Sequence, residues 1–345
     1  MKVLCCASYH GSGSSAITDL LSEYSNTKPA TDFEFTFLYE PDGVLSLEYN
    51  LIENFNRVNA TIAIKRFYKA AKVNNGDFLH KETYKRYFKG KYLPLTKQYL
   101  DSLVYVKYQG YTDYDLRAKG KFKYVWLTVW RKIFNKLGAR RGGVMKKEYT
   151  YCAYPSENEF LTATRKYVEQ LLTIYNDDNK EYVILDQLFS ATNIEKLCRY
   201  VPFETKVILV NRDPRDIYIG LRYVLKKETY PPSGKDVEEF CRWFEFSHHK
   251  ASEEASKCDI VKEIFFEDLI FNYEKTVSMV ESFTGLRKED HVAKFSHLNP
   301  KYSVRNTESW KKYPEEKENI EYIEKRLAKY LYNFKGGEVV GIDVK

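Results

Sequence analysis

The chain has 345 residues, and its 55 lysines and arginines against 48 aspartates and glutamates give a formal net charge of +7. Hydrophobic residues make up 43% and charged residues 30%, which excludes a disordered or fibrous chain and predicts a buried core. The six cysteines have no CxxC spacing, so neither structural zinc nor a disulfide framework is expected. No secretory signal and no membrane-spanning apolar run is evident, and we therefore expect a cytoplasmic protein.

The first elements in chain order are predicted to be a strand, a tight loop and a helix. Residues 1–7 form a short apolar run, and the segment SYHGSGSSA follows it directly. Beyond this segment, apolar residues recur at helical spacing up to residue 24. A strand that passes through a glycine-rich loop into a helix is the usual start of an α/β fold.

The middle of the chain is less regular. Alternating aromatic residues at 33–39 predict an extended segment that ends in a turn at 41–43. Helical periodicity covers 52–68 and 157–175, whereas residues 70–150 between them are rich in Lys, Tyr and Phe and give mixed signals. We expect this middle stretch to be an insert.

Strands alternate with helices again in the second half. The apolar patterns predict strands at 182–185, 206–210 and 259–266, a helix from about 217, a helix that ends at 284 before Gly285, and a helix at 315–333. This alternation predicts an α/β fold in which helices flank a P-loop-type parallel sheet, with a largely helical basic and aromatic insert. Ligands of such sheets bind at the carboxyl ends of the strands.

The glycine- and serine-rich loop is a candidate phosphate cradle. Gly11, Ser12, Gly13, Ser14 and Ser15 lie where the first strand meets the first helix, so their backbone N–H groups and the positive helix end would face one anion. The motif is not a Walker A motif, because Ser14 stands where that motif has lysine. The alternative is an ordinary turn in which Ser14 caps the helix.

An arginine follows the strand at 206–210. Arg212 is expected at the carboxyl end of that strand, with Asp213-Pro-Arg-Asp216 forming the turn into the next helix. This position aims Arg212 at the same sheet edge as the serine loop. A surface arginine, or an ion pair between Arg212 and Asp216, would explain the pattern without a ligand.

Together, three segments resemble the PAPS-dependent sulfotransferases. They are the serine loop at 8–24, the strand and arginine turn at 206–224, and the stretch 264–312, which carries a Phe-Glu-Asp-Leu motif and a basic loop ending in Trp-Lys. The resemblance covers about a third of the chain, and 35–150 matches no motif. It implies that the serine loop holds the 5′-phosphosulfate of 3′-phosphoadenosine 5′-phosphosulfate (PAPS), that Arg212 and Arg305 hold its 3′-phosphate, and that no metal takes part.

The sequence departs from that family at two positions. Family members usually carry Lys or Arg just before the Ser-Gly of the loop, where this chain has Gly11, and His10, Lys65 or Arg66 are candidate substitutes. The family's second 3′-phosphate ligand is usually a serine at the position of Gly220. These departures leave open an altered donor site or a protein that binds the donor without reacting.

The resemblance also implies a catalytic base on the segment after the first helix. Alternation places Asp32 and Glu34 on one side of an extended segment, and we predict Glu34 as general base, with Asp32 second and His10 third. The alternative for Glu34 is a solvated carboxylate beside an aromatic strand. The adjacent pair His248-His249 is interpreted as a polar helix face, because neighbours on a helix point about 100° apart.

Most of the excess positive charge lies in one segment. Residues 117–147 contain 11 Lys or Arg and no Asp or Glu, so the rest of the chain is net negative and a nucleic-acid binder is not expected. Within this segment, apolar residues from Phe122 to Leu137 recur at helical spacing. Such a helix suits an anionic membrane surface or an acidic acceptor, or it packs its apolar stripe on the core.

The sequence thus supports one function with two alternatives. We expect a single sulfotransferase-like domain, 1–345, in which 70–150 is an acceptor-side insert, and an acceptor that is a glycan or glycolipid because aromatic faces pack on sugars. The first alternative is a P-loop kinase of a small metabolite, against which the missing Walker lysine and the lack of a clear acidic strand end argue. The second alternative is a non-catalytic nucleotide or polyanion binder. The pattern does not indicate an oligomeric state.

Overall fold

The structure is a computed structural model that describes residues 1–31, 33–76, 83–138, 145, 147–225, 236–249, 258–334, 337 and 339–343. The chain forms two compact units. The first unit comprises Met1–Thr36 and Asn176–Lys345, and the second comprises Phe37–Tyr175. The predicted single domain with 70–150 as an insert stays a prediction.

The strands of the described residues fall into a five-stranded and a two-stranded sheet. They are β1 (Lys2–Ser8), β2 (Thr27–Lys28), β3 (Val106–Gln109), β4 (Tyr149–Cys152), β5 (Tyr182–Asp186), β6 (Thr205–Asn211) and β7 (Val261–Phe265). The two-stranded sheet, an antiparallel pairing of β3 with β4, belongs to the second unit.

The α-helices lie between these strands and after the last of them. Before β4 they are α1 (Ser14–Ser22), α2 (Val44–Glu48), α3 (Arg57–Asn74), α4 (Tyr84–Tyr87), α5 (Tyr92–Leu103), α6 (Asp113–Arg117) and α7 (Lys121–Lys136). After them come α8 (Glu157–Tyr175), α9 (Ile194–Cys198), α10 (Pro214–Ile219), α11 (Val237–His248), α12 (Asp268–Phe271), α13 (Tyr273–Thr284), α14 (Pro300–Ser303) and α15 (Lys317–Arg326). Short π-helical segments follow α2 and α10, at Tyr49–Glu53 and Gly220–Val224.

The five-stranded sheet of the first unit is parallel throughout. Its strand order is β2-β5-β1-β6-β7, which places β1 in the centre with β5 on one side and β6 on the other. The central strands are continuous apolar runs, as a parallel sheet covered on both faces requires: residues 3–7 and 207–210 are buried. The predicted α/β class with helices flanking a parallel sheet is confirmed.

One face of this sheet packs against α1 and α13. Leu4 and Cys6 of β1 share a buried cluster with Ile17 and Leu20 of α1 and with Val280 of α13. Because β1 leads into the glycine loop and α1 leaves it, this packing fixes both ends of the loop. The core therefore holds the loop at the carboxyl edge of the sheet.

The second unit is largely helical, as predicted for the insert. Helices α5 and α8 pack through stacked tyrosines, Tyr99 on Tyr167 with ring centroids 4.7 Å apart. The hydroxyls of these two tyrosines are hydrogen-bonded: Tyr167 pairs with Thr96 and Tyr99 pairs with Thr164, both at 2.8 Å. Buried hydroxyls paired in this way account for part of the high tyrosine content of the chain.

Several predicted elements agree closely with the structure, and others need correction. The helix at 157–175 and the strands beginning near 182 and 206 are confirmed, and Gly285 ends α13 with a left-handed φ of 80°. The helix predicted at 52–68 begins instead at Arg57. Its start is set by Asn56, whose side-chain oxygen accepts the amides of residues 58 and 59 at 3.0 and 2.9 Å.

Two further predictions were too long. The last helix covers Lys317–Arg326 rather than 315–333, with single 3₁₀ turns at Pro314–Glu316 and Ala328–Tyr330. The extended segment at 33–39 is reduced to one bridge at Glu34, after which a 3₁₀ turn begins. Apolar spacing marks which side chains are buried, but it does not show where hydrogen bonding changes from α to 3₁₀.

Candidate functional site

The loop between β1 and α1 has the backbone of an anion cradle. Gly11 and Gly13 have φ angles of 81° and 83°, a left-handed conformation that residues with a side chain rarely adopt. A Cβ at Gly13 would lie 3.2 Å from the ring of Phe266, so the loop lies tightly on the residue after β7. The loop is closed by Ser12, which is fully buried, donates its amide to the Tyr9 carbonyl at 3.1 Å and accepts the Tyr9 amide on its hydroxyl at 3.2 Å.

The first turn of α1 keeps donors available for a ligand. Gly13 is the N-cap and makes no side-chain cap, and no acidic residue stands in the first turn. The helix therefore presents uncapped amides and its positive dipole end. Ser14 and Ser15 stand at this end, whereas Ser12 is engaged in closing the loop.

A cavity of about 500 Å³ opens beside this loop in the first unit. Its wall combines loop residues, α1 and three acidic side chains. Among its lining residues are Tyr9, His10, Gly11, Gly13, Ser14, Ser15, Thr18, Asp19, Thr31, Glu34, Asp186 and Gln187. The sequence-predicted base Glu34 and the alternative His10 thus lie at the same cavity as the loop. Asp32 lies outside the described residues.

Glu34 has a second carboxylate beside it that sequence reasoning missed. Asp186 ends β5 and forms a parallel bridge with Glu34, and its carbonyl accepts the amide of Phe35 at 2.9 Å. Burial, followed by the charge of Glu34, raises the pKa of Asp186 to about 7, although a hydrogen bond with Ser14 opposes the shift. Its Oδ1 atom is buried and has no hydrogen-bond partner. Two carboxyl groups that share one site are a proton-transfer arrangement.

The signal for Asp186 was present in the sequence. The strand predicted at 182–185 is followed at once by an aspartate, and strand ends of a parallel sheet face the ligand site. The sequence argument that no clear Mg²⁺-binding acidic strand end is present overlooked this aspartate. Asp186 is an acidic strand end, next to the strand that carries the loop.

His10 stands at the rim of the cavity as a neutral imidazole. Partial burial lowers its pKa below the ordinary value, and the charge of Glu34 opposes this shift. The ring meets Trp243 edge to face, with centroids 6.4 Å apart. A neutral imidazole can accept a proton or a hydrogen bond, but it supplies no positive charge in place of the missing loop lysine.

Arg212 ties three distant segments together at the carboxyl end of β6. Its Nη1 donates to the Gly11 carbonyl at 3.1 Å and its Nη2 donates to the Asn306 carbonyl at 2.6 Å. The guanidinium also lies 5.0 Å from the ring centroid of Phe266. Its Nε is buried without a partner, which is where a water or an anion is expected.

Asp216 fixes the opposite side of the same turn. Its carboxylate accepts the amides of Glu308 and Ser309 at 2.8 and 2.7 Å and the Ser309 hydroxyl at 2.5 Å. Asp216 is fully buried, and burial raises its pKa even though Ser309 and Arg212 oppose the shift. Arg212 and Asp216 were considered as an ion pair, but each binds the backbone of residues 306–309 instead. Arg212 donates to the Asn306 carbonyl, and Asp216 accepts the amides of residues 308 and 309.

Glu267 holds the arginine turn at residues 212–216 through a hydrogen bond to its backbone. Its Oε1 accepts the amide of Asp213 at 3.0 Å, whereas its Oε2 is buried without a partner. Burial raises the pKa of Glu267 to about 8. Asp213 in turn binds Arg215 through three hydrogen bonds of 2.7 to 2.9 Å. The arginine turn therefore has little freedom to move.

Arg305 is near this assembly but is oriented differently. Its side chain is exposed and stacks on the ring of Tyr302, with the guanidinium carbon 3.7 Å from the centroid. Its carbonyl accepts Lys312 Nζ at 3.1 Å, and the next residue, Asn306, is the one bound by Arg212. Arg305 is thus a solvent-facing cation one residue from the Arg212 contact.

The two glycines at which the chain departs from the resembled family differ physically. Gly11 has the left-handed φ noted above, so a lysine or arginine there would strain the loop. Gly220 has an ordinary helical φ of −57°, and a Cβ there would meet no atom within 4 Å. The loop backbone accounts for the first departure, whereas space remains for a side chain at the second.

The candidate substitutes Lys65 and Arg66 are engaged within the second unit. Lys65 pairs with Asp115 at 2.8 Å and with Glu148 at 3.3 Å, and Arg66 pairs with Asp42 at 2.8 Å. Carboxylates therefore already balance both charges.

The polar helix face predicted for His248-His249 is wrong for the first residue. His248 is buried between the rings of Tyr9 and Phe244, with centroids 3.7 and 3.9 Å away, and Nδ1 lies 2.9 Å from the Phe244 carbonyl. Burial lowers its pKa to about 4, so the ring is neutral. His248 is a packing residue behind the loop, whereas His249 is exposed.

Among the described residues, no group of three or more His, Cys, Asp or Glu side chains is arranged to hold a metal ion. None of the helices described is both long and apolar enough to cross a membrane.

Comparison with known proteins gives one similar solved structure to report. No protein-family model matches the sequence, and no curated protein resembles it. A crystal structure of a sulfotransferase from Mycobacterium tuberculosis H37Rv aligns with 90% of this chain and 77% of its own length, at 13% identity and a TM-score of 0.38. At that score a common fold is not established.

Proposed function

We propose that the chain is a sulfotransferase that moves a sulfuryl group from PAPS to a hydroxyl or amine of an acceptor. One observation carries the proposal: Arg212 bonds to the carbonyls of Gly11 and Asn306, and so joins the serine loop, the arginine turn and the 304–312 segment at one sheet edge. These are the three segments that resemble the sulfotransferases. The sequence predicted that Arg212 and the serine loop lie at one sheet edge, and the contact with Asn306 adds the third segment.

The donors at this edge fit a ligand with two separate phosphates. The uncapped start of α1 with Ser14 and Ser15 would hold the 5′-phosphate end. The guanidinium of Arg212, with its unpartnered Nε, and the exposed cation of Arg305 would hold the 3′-phosphate. Hydrogen bonds to Asp216 fix the 308–309 backbone, so little ordering would be needed on binding.

The carboxylate pair supplies the proton acceptor. Glu34 is exposed and lines the cavity, where it would take the proton of the acceptor hydroxyl, and Asp186 lines the cavity beside it. PAPS supplies an activated sulfuryl group whose S–O bond to phosphate breaks, the electron pair leaving with phosphate, as the acceptor oxygen bonds to sulfur. The loop donors stabilise the negative charge on the departing phosphate.

For the acceptor we propose a carbohydrate hydroxyl, free or on a glycolipid. The second unit carries an exposed aromatic group made of Phe55, Tyr105 and Tyr154, whose rings lie 5.4 to 6.4 Å apart. Exposed aromatic faces pack on the C–H faces of sugar rings. Substituting Tyr105 and Tyr154 by alanine should raise KM for the glycan and leave donor affinity unchanged.

A P-loop kinase is a second candidate, because one observation favours it. Asp186 ends the strand next to β1 and bonds with Ser14, an arrangement able to orient Mg²⁺ beside a nucleotide. Against it stand the serine in place of the Walker lysine and the engagement of Arg212 with the loop. The two candidates predict different ligands.

The deciding experiment is calorimetric titration with adenosine 3′,5′-bisphosphate, AMP, and ATP with Mg²⁺. We expect the bisphosphate to bind roughly tenfold or more tighter than AMP. The reason is that AMP lacks the 3′-phosphate, and losing a charged hydrogen-bonded group weakens binding by about this factor. Tighter binding of ATP with Mg²⁺ than of the bisphosphate would instead establish the kinase reading. Labelled PAPS with a glycan panel then separates an enzyme from a non-catalytic binder, since a binder gives affinity without transfer.

A further inference from the structure

Helix α7 turns its apolar face to solvent. Phe122 is 94% exposed and Trp126 is 60% exposed, and Leu127 is the buried residue of the helix. The exposed apolar side chains are Phe122, Val125, Trp126, Val129, Trp130, Ile133 and Leu137. This arrangement contradicts the alternative in which the stripe packs on the core, and it is the reverse of an ordinary surface helix.

The helix is attached to the second unit by its other side. Leu127 packs with Leu116 and Met145, and Arg131 pairs with Asp113 at 2.9 Å. At about 100° per residue, the exposed apolar side chains cover an arc of roughly 140°, on the side away from Leu127 and Arg131. The apolar face, interrupted only by Lys136 in the last turn of the helix, thus lies on the side opposite Leu127 and Arg131.

Lysines flank the apolar face on both sides. By the same spacing Lys121 and Lys132 lie along one flank and Lys123 along the other, whereas Lys136 lies within the arc in the last turn of the helix, and all four are exposed. Neighbouring carboxylates are already engaged, because Asp113 binds Arg131 and Glu148 binds Lys65 and Lys119. The flanks therefore present net positive charge beside an apolar stripe that carries two tryptophans.

We propose that α7 is a docking surface for an anionic lipid bilayer, on which it lies parallel to the membrane plane. Apolar residues would enter the acyl boundary, the tryptophans would lie at headgroup level, and the lysines would contact anionic lipids. A second copy of this chain fits poorly, because it would bring a like-charged flank against this one. This inference does not rest on the proposed function.

The test is co-sedimentation of the full chain with vesicles of phosphatidylcholine alone and with about 30 mol% phosphatidylserine. We expect roughly tenfold or more tighter binding to the anionic vesicles, weakened by salt. The double variant Phe122→Ser with Trp126→Ser should lose most of this binding. The matched control Phe246→Ser alters an exposed aromatic residue of α11, 80% exposed, and should bind as the wild type does.

Fluorescence separates insertion from simple charge attraction. Brominated lipids should quench the wild-type tryptophan emission, and the quenching should vanish in Trp126→Phe with Trp130→Phe, which leaves Trp243 and Trp310 in place. Thermal unfolding and far-ultraviolet circular dichroism check that each variant folds. The proposal would be overturned if the Phe122→Ser, Trp126→Ser variant bound vesicles as well as the wild type does. It would also be overturned if the wild type bound no vesicles but self-associated, and this variant abolished the self-association.

Discussion

The strand ends on the two sides of β1 are built differently. At the end of β6, each buried charge is bound to the backbone or to an opposite charge: Arg212 to two carbonyls, Asp216 to two amides, and Asp213 to Arg215. At the end of β5, Asp186 faces the like charge of Glu34. Opposite charges that are paired fix the positions of their side chains. Two neighbouring carboxyl groups instead favour a shared proton, which can be transferred. Under the proposed function, anion binding would fall at the end of β6 and proton transfer at the end of β5.

The largest effect is expected from the proton-transfer side. Replacing Glu34 by Gln removes the base but keeps the shape, so transfer from PAPS should fall about 10²- to 10⁴-fold with unchanged bisphosphate affinity. Radiolabelled transfer and calorimetry measure the two quantities. The exposed Glu238→Gln on α11 is the control. Full transfer by the Glu34 variant would dismiss its role.

The next effect concerns the rigidity of the anion side. Asp216→Ala removes three hydrogen bonds to residues 308 and 309 and should lower the free energy of unfolding by about 2–4 kcal/mol, because bonds to a buried charge are strong. Urea denaturation measures this change. Asp113→Ala, which breaks an exposed pair, should cost at most about 1 kcal/mol. Equal losses in the two variants would contradict the comparison.

Donor affinity should depend on the arginine of the same side. Arg212→Ala should weaken adenosine 3′,5′-bisphosphate binding by about 1.5–3 kcal/mol, the range for a charged hydrogen bond. Arg242→Ala, in an exposed pair on α11, serves as the matched control. Calorimetry reads both. Unchanged affinity in the Arg212 variant would remove this residue from the donor site.

The pH profile tests the like-charged pair directly. Because the pKa of Asp186 is raised to about 7, the carboxyl is protonated below this pH and ionised above it. Ionisation of Asp186 gives the cavity a second carboxylate able to accept the proton of the acceptor, so transfer should rise as the pH passes about 7. Asp186→Asn should flatten this rise. A rise that persists in the variant would assign it to another group.

The smallest effect concerns Glu267, whose pKa burial raises to about 8 from an ordinary value of 4.5. The folded state therefore binds more protons than the unfolded chain between these values, and this group's contribution to stability is lost as pH rises toward and through 8. Glu267→Gln keeps an oxygen for the Asp213 amide and should raise stability at pH 9 by about 1 kcal/mol. Thermal unfolding at pH 6 and 9 measures the difference, and an equal change at both pH values would refute it.

The sequence determined the parts of the fold that depend on local pattern. A continuous apolar run predicts a buried parallel strand, a glycine loop before a helix predicts a cradle, and both are found at Lys2–Ser8 and Gly11–Ser15. Capping and 3₁₀ turns shifted the ends of α3 and α15, because these depend on single hydrogen bonds rather than on periodicity.

Tertiary structure alone decided which residues meet. The spacing of residues shows which side chains share a face of a strand or helix. What buries those side chains, and which charges they meet, depends on segments far apart in the chain. Burial in the fold, and then the charge of Glu34 beside it, raises the pKa of Asp186 to about 7, and His248 is a core residue because Tyr9 stacks on it. Helix α7 had the periodicity of a core helix, yet its apolar face lies in solvent, since the residues that bury a helix are fixed by its neighbours. The sequence thus determined the strand, loop and helix of the cradle. The charge states of the side chains at the carboxyl edge of the sheet were decided by packing and by the low dielectric of the folded interior.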